Sequence, residues 1–227
     1  MCGRFTLTAD ADTIREAFAL SQSSSATLAE LTPRYNIAPS QPVAVVLADS
    51  DGARKLEFFK WGLVPVWAKD PKIGYKMINA RAETLAEKPS FRTALKKRRC
   101  LVLADGFYEW KKDGKTKTPM HIQLKSGEPF ALAGLYEFWK PPDSDVLVKS
   151  CTLITTTPNS LMEKIHDRMP VILRPQAYDL WLTPGELPAK KSLPLLKPYA
   201  ASQMQAARVS ALVNSPANDS PECIKPI

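Results

Sequence analysis

The sequence has no C-x-x-C pair: its four cysteines, Cys2, Cys100, Cys151 and Cys223, lie far apart along the chain. Such spacing suits neither a disulfide framework nor a zinc site, and a reducing compartment is the expectation. No apolar run approaches the ~18 residues that a bilayer-spanning helix needs. Nothing near the start reads as a signal peptide, because Arg4 brings a charge with no apolar run behind it. Myristoylation wants glycine directly after the initiator Met, and here that place belongs to Cys2. Internal repeats are absent, and histidine occurs only at His121 and His166. A cytoplasmic protein without a membrane partner or a metal is expected.

What is present points to a folded, anion-seeking domain. At 227 residues the chain can bury a real core, and no composition break divides it, so residues 1–227 are read as a single domain. Hydrophobic content of 44% with 24% charged excludes disordered and fibrous classes. Lys and Arg number 31 against 23 Asp and Glu, a net charge of +8. That excess favours nucleic acid as the partner, because neutralised phosphates release counterions; a merely basic enzyme is the competing reading.

Alternation and turn signals predict strands at 3–8, 42–48, 54–61, 100–104, 107–112, 118–124, 130–136, 147–156 and 206–212. Helical spacing marks 12–20, with short helices near 160–165 and 176–182 and a basic helix capped by Ser90. Residues 21–32 read as a surface loop, and turns at 49–52, 113–114 and 126–127 as hairpins. The 20 prolines fall mostly between these runs. The fold class is therefore α+β, a single domain with a curved, mostly antiparallel sheet flanked by short helices.

Cys2 is the first residue with chemistry to offer. Loss of Met1 leaves it an α-amine of pKa about 7.7–8.0 and a thiol of about 8.5, both partly nucleophilic near neutrality. This 1,2-aminothiol condenses with an aldehyde to an imine, which the thiol closes to a thiazolidine. Arg4 nearby is expected to favour the thiolate. Taken alone, a cysteine at the second position is also an ordinary codon. Glu109 sits between aromatics, which suggests desolvation and acid/base use, although a strand-surface Glu fits as well. His166 follows a short helix among polar residues and can move protons; His121 alternates in a strand and reads as structural. Asn79 offers an amide beside Arg81, or simply a turn. Trp61 reads as core and Trp67, on a Pro65-stiffened loop, as a stacking ring for bases. Arg4, Arg81 and Arg168 are candidate phosphate clamps, and 96–99 a solvated basic helix end.

Seven segments, in order, carry a resemblance to the SOS response-associated peptidase (SRAP) family of abasic-site crosslinkers. They are MCGRF (1–5), RYNIAP (34–39), WGLVP (61–65) with Trp67, NARAE (79–83), ADGFYEW (104–110), AGL (133–135) and HDRMP (166–170). The resemblance implies a barrel-like antiparallel sheet, no metal or organic cofactor, and a thiazolidine between mature Cys2 and the ring-opened abasic sugar in single-stranded DNA. It implies that Asn79 holds the substrate end, that Glu109 is the acid/base carboxylate and that His166 is a second proton handler. Gly3, Arg4, Trp67 and Arg81 match channel-lining positions, with Pro39, Pro65 and Arg168 as further DNA contacts. Some bacterial relatives carry a second Trp where this chain has Ala68, and a basic position beyond NAR has Lys88 or Arg92 as stand-ins. The expected protein is a monomeric bacterial abasic-site sensor, with removal of Met1 by its own peptidase activity and strand cleavage as side activities. Two alternatives remain: a thiol peptidase using Cys2, His166 and Asn79, and a non-covalent single-stranded DNA binder.

Overall fold

A run of branched apolar residues, Val43, Val45 and Val46, opens the larger of two sheets. The computed structural model describes residues 2–21, 24–141 and 145–227. The strands of its first half are β1 (Phe5–Leu7), β2 (Arg34–Ile37), β3 (Pro42–Ala48), β4 (Arg54–Trp61), β5 (Asn79–Arg81) and β6 (Arg99–Ala104). Then come β7 (Gly106–Asp113), β8 (Thr116–Leu124), β9 (Phe130–Trp139), β10 (Val148–Thr156), β11 (Met169–Pro170), β12 (Ile172–Leu173) and β13 (Met204–Arg208). Short helices α1 (Ala11–Ala17), α2 (Ser25–Ala29), α3 (Pro89–Lys97), α4 (Tyr178–Leu182) and α5 (Ala189–Ser192) fill the connections.

β3 and β4 form the expected hairpin around 49–52, where Asp49 Oδ1 accepts from the backbone N–H of Asp51 at 3.0 Å and of Ala53 at 2.9 Å. β3 continues antiparallel to β6, β6 to β9 and β9 to β10, and β10 returns parallel to β4. Those five strands close on themselves, so the expected barrel-like sheet is a closed barrel whose ring leaves no open edge. Closure depends on the β10–β4 pairing being parallel, which a purely antiparallel meander does not anticipate. β6 is buried along its whole length, with α3 and α4 packed against it.

Arg99 departs from the expectation of a solvated basic helix end. Only 5% exposed, its guanidinium donates to the carbonyls of Leu95 (3.0 Å), Lys96, Trp181 (2.8 Å), Thr183 (2.6 Å) and Gly185 (3.2 Å). One buried cation thus satisfies the last carbonyls of two helices, α3 and α4, where the helix dipole is negative.

The second sheet has the order β13-β8-β7-β1-β2. The turn at 113–114 makes the β7–β8 hairpin as expected. The turn at 126–127 does not: β8 pairs with β7 and β13, whereas β9 belongs to the barrel, so this turn carries the chain from one sheet to the other. Three further local differences have simple causes. Helix α3 starts at Pro89, whose missing N–H costs nothing at a first turn, so Ser90 lies inside the helix and Lys88 occupies the cap position. The stretch near 160–165 is a single 3-10 turn, Met162–Lys164. Within the expected loop 21–32, Leu28 is buried and draws 25–29 into a short helix; Gln22 and Ser23 lie outside the described residues. Among the described residues, no helix is long and apolar enough to cross a membrane.

Candidate active site around Cys2

The two sheets meet at the start of β1. Phe5 pairs with Phe107 of β7 on one side and Ile37 of β2 on the other, and its ring packs on Trp61 with centroids 5.1 Å apart. Asp105 anchors the strand from beyond its end. Its carboxylate accepts from Thr6 Oγ1 at 2.5 Å, Thr8 Oγ1 at 2.7 Å, Ala9 N at 3.0 Å and the backbone N–H of Thr8. The barrel contributes from its rim. Where β4 ends at Trp61, β5 takes over the side of β10, pairing Asn79 with Leu153. The Asn79 amide then donates from Nδ2 to the main-chain carbonyl of Cys2 at 2.7 Å. Asn79 Oδ1 is buried and has no partner among the described residues, which leaves it free to accept from a ligand.

Cys2 itself is fully buried, its Sγ 3.8 Å from the carbonyl of Arg4. Burial raises the thiol well above its ordinary range, and the nearby Glu109 carboxylate adds to the shift. The expectation that Arg4 promotes a thiolate is overturned. Its guanidinium turns away to Asn36 Oδ1 and the carbonyl of Val213, both at 2.8 Å, and lies 5.9 Å from the centre of the Trp110 ring.

Glu109 is 2% exposed, and burial pushes its carboxyl up to about 7. Opposite Met120 of β8, Glu109 lies against buried Cys2 and the half-buried His166 ring, and this burial disfavours its charged form. His166 Nε2 stands 3.9 Å from Glu109 Oε2. The backbone N–H of Arg168 donates to His166 Nδ1 at 3.0 Å, while Asp167 Oδ1 lies 2.9 Å from the same nitrogen. A neutral ring satisfies one of these contacts, not both. The backbone donor is fixed, whereas the Asp167 side chain is 89% exposed and can swing into water, so the neutral ring keeps its proton on Nε2, facing Glu109. Burial, first among several causes, lowers the imidazolium pKa and favours that neutral form.

The other candidates separate into reachable and engaged groups. Trp67 is 55% exposed and Arg81 is exposed. Pro65 is buried and therefore stiffens the loop rather than projecting from it; Gly3 and Pro39 are half-buried. Arg168 is held by Glu83 through two contacts of 2.8 and 2.9 Å and by the carbonyl of Thr155 at 2.7 Å, leaving it little to offer a phosphate. Lys88 and Arg92 are both exposed. Ala68 is buried, and its carbonyl accepts from Trp139 Nε1 at 2.8 Å. No group of three or more His, Cys, Asp or Glu among the described residues is placed to hold a metal.

Sequence reasoning missed Asn36 and the C-terminal strap. Asn36 Nδ2 lies within 3.3 Å of the Val213 carbonyl, 3.0 Å of that of Ser215 and 2.6 Å of that of Asn218. Asp219 accepts from Arg34 Nε and from the N–H groups of Tyr35 and Asn36. Cys223, in the Pro-flanked C-terminal segment, is buried beside Tyr108, Val209 and Val213. A polar Asn beside Ile37 and Ala38 was the available signal, since an amide buried with them must find partners.

Residues 1–216 match the SOS response associated peptidase (SRAP) family. The chain is 54% identical over 226 residues to the abasic site processing protein YoqW of Bacillus subtilis, covering 99% of both chains. It is 36% identical to the abasic site processing protein HMCES of Xenopus tropicalis over 224 residues, covering 86% of this chain and 66% of that one. A crystal structure of a protein from Bacteroides thetaiotaomicron superposes with a TM-score of 0.88 at 29% identity over the full length of both. With the family matched across almost its whole length, the chain belongs to the SOS response associated peptidase family.

Proposed function

We propose that this protein processes abasic sites in single-stranded DNA by bonding covalently to them through Cys2. The observation that carries the reading is the convergence of Asn79, Glu109 and His166 on the first residue of the mature chain. Removal of Met1 frees the α-amine. Glu109, with its pKa near 7, is half protonated at neutrality and can give a proton to the sugar ring oxygen as the hemiacetal opens. The amine adds to the exposed aldehyde, and His166 or Glu109 assists the loss of one water to form the imine. The thiol then adds across the C=N bond: sulfur bonds to carbon, and the thiol proton is carried by the Glu109 carboxylate to the nitrogen, so the carboxylate ends as it began.

A buried, protonated thiol supports this order, because it stays unreactive until the imine carbon is beside it. Asn79 fixes the Cys2 carbonyl, and its free Oδ1 is an acceptor for the amine or for a sugar hydroxyl. Trp67 stacks against a neighbouring base and Arg81 neutralises a phosphate, while Gly3, Arg4 and Pro39 shape the channel. Arg168 acts at one remove, holding the His166 loop against Glu83. An imine that escapes ring closure can lose the 3′ phosphate by β-elimination, giving strand cleavage as a side reaction.

The test is the intact mass of Met1-free protein after mixing with an abasic oligonucleotide. A heat-stable species equal to the sum less one water is expected. A species absent from denaturing gels but present in native ones would reduce the protein to a non-covalent binder. Hydrolysis of added peptides without any adduct would favour the thiol peptidase.

A further inference from the structure

A cavity of about 320 Å³ opens over Glu109 and His166, and the rest of its wall is Trp110, Lys112, Lys117 and Asn214. The crosslinking chemistry uses the first two residues and gives the other four no task. Lys112 and Lys117 are directly opposite each other in the β7–β8 register, and both are exposed. Like charges in that relation destabilise a hairpin. The tip is more basic still, since Lys111 and Lys115 are close by and Asp113 is the only acid between 111 and 117. Neither Lys112 nor Lys117 makes an ion pair among the described residues. Lys112 is near enough to His166 for its charge to act on the ring. The indole is held in place: Trp110 Nε1 donates to Asn214 Oδ1 at 2.7 Å, and the Arg4 guanidinium lies toward its ring.

We propose that this cavity is a subsite for the phosphodiester adjoining the reacting sugar, with Lys112 and Lys117 taking its non-bridging oxygens and Trp110 flanking the next nucleotide. The inference rests on the abasic-site reading above and adds a fixed place for one phosphate beside the bond-forming centre. Two ammonium groups facing one opening neutralise a single diester, and the fixed indole gives the neighbouring sugar or base an apolar wall. Repulsion within the hairpin is relieved when that phosphate arrives, so the lysines bind it at a gain that an isolated surface lysine lacks.

The experiment pairs protein and substrate changes. Crosslinking rates are measured for wild type and for Lys112→Gln/Lys117→Gln, on abasic strands carrying a neutral methylphosphonate linkage at one defined position 5′ or 3′ of the lesion. With all-phosphate DNA the variant should crosslink about tenfold more slowly at low salt, and its salt slope should fall by about two contacts. One methylphosphonate position should slow the wild type by a similar factor yet leave the variant unchanged, which marks the phosphate these lysines hold. Equal, additive losses at every position would mean a diffuse field and overturn the subsite. So would an unchanged rate in the variant, or inorganic phosphate protecting the wild type as well as a competing strand does. Absence of any adduct with wild type would instead sink the underlying functional reading, a result that cannot be mistaken for failure of the subsite. Both lysines are exposed, so the variant is expected to fold, and its melting temperature serves as the control.

Discussion

Gly62 and Gly74 face each other so closely that a Cβ on either would stand 2.7 Å from the other's carbonyl oxygen. Gly62 also sits at φ +130, a conformation that L side chains rarely adopt. The contact folds the loop between them back on itself and presents Trp67 at its outer turn. Gly62→Ala should therefore destabilise the protein by about 1–3 kcal/mol. It should also weaken DNA binding more than Trp67→Ala does, because it displaces the whole loop. Denaturant midpoints and binding titrations measure the two effects, and a variant as stable as wild type would show that the loop repacks freely.

Asn79→Ala removes the donor that fixes the Cys2 carbonyl. We expect crosslinking to slow at least ~10-fold, with a stability loss of only ~1 kcal/mol. Single-turnover rates separate this from a binding defect, since salt-dependent affinity for undamaged strands should stay unchanged. Asn79→Asp restores the shape but not the donated N–H, and it should not rescue the rate.

Glu109 gives the site its pH dependence. The amine gains nucleophilicity as pH rises through about 7.7–8.0, while protonated Glu109 is lost as pH passes about 7. The crosslinking rate should follow a bell with its maximum between these values. Glu109→Gln should be slower by ~100-fold at the optimum and keep only the rising limb. A persistent alkaline fall in this variant would assign that limb to another group. Stability has a definite sign as well. A carboxyl whose pKa is raised on folding contributes fully below its unfolded value near 4.5, and that contribution is lost as pH climbs through about 7. Glu109→Gln should thus gain stability relative to wild type at pH 8 and gain none at pH 4.

Cys2→Ser keeps the amine and removes the sulfur. If the amine attacks first, this variant forms an imine that cannot close to a stable ring. Little adduct should survive without reductant, a clear adduct should appear with borohydride, and strand cleavage should exceed that of wild type. A variant that binds DNA yet yields nothing on reduction would place the thiol first in the sequence of attack.

The hairpins at 49–52 and 113–114 and the strand cores could be read in advance, because alternation and Asp-Gly turns are local signals: β3, β4, β7 and β10 fall within a residue or so of the pattern. The barrel was legible only through the family resemblance, since the parallel pairing of Cys151 with Trp61 joins residues 90 apart, and alternation carries no information about partners. Cys2, Asn79, Glu109 and His166 were visible as chemistry-bearing residue types within recognisable segments. Their neighbours were not. Arg99 looked like one more surface cation at a helix end, and only the meeting of α3 with α4 turns it inward. Arg4 and Arg168 read as phosphate clamps, yet Asn36 and Glu83 hold them, because a guanidinium's partner is settled by tertiary contacts rather than by the residues beside it.

The strap that Asn36 holds also sets a schedule for the site. Carbonyls from Val213 to Asn218 complete the framework into which Arg4 is tied, and Asn214 fixes Trp110 at the mouth of the cavity. The wall that Arg4 and Trp110 give the cavity is therefore complete only once residue 218 has been synthesised and has docked.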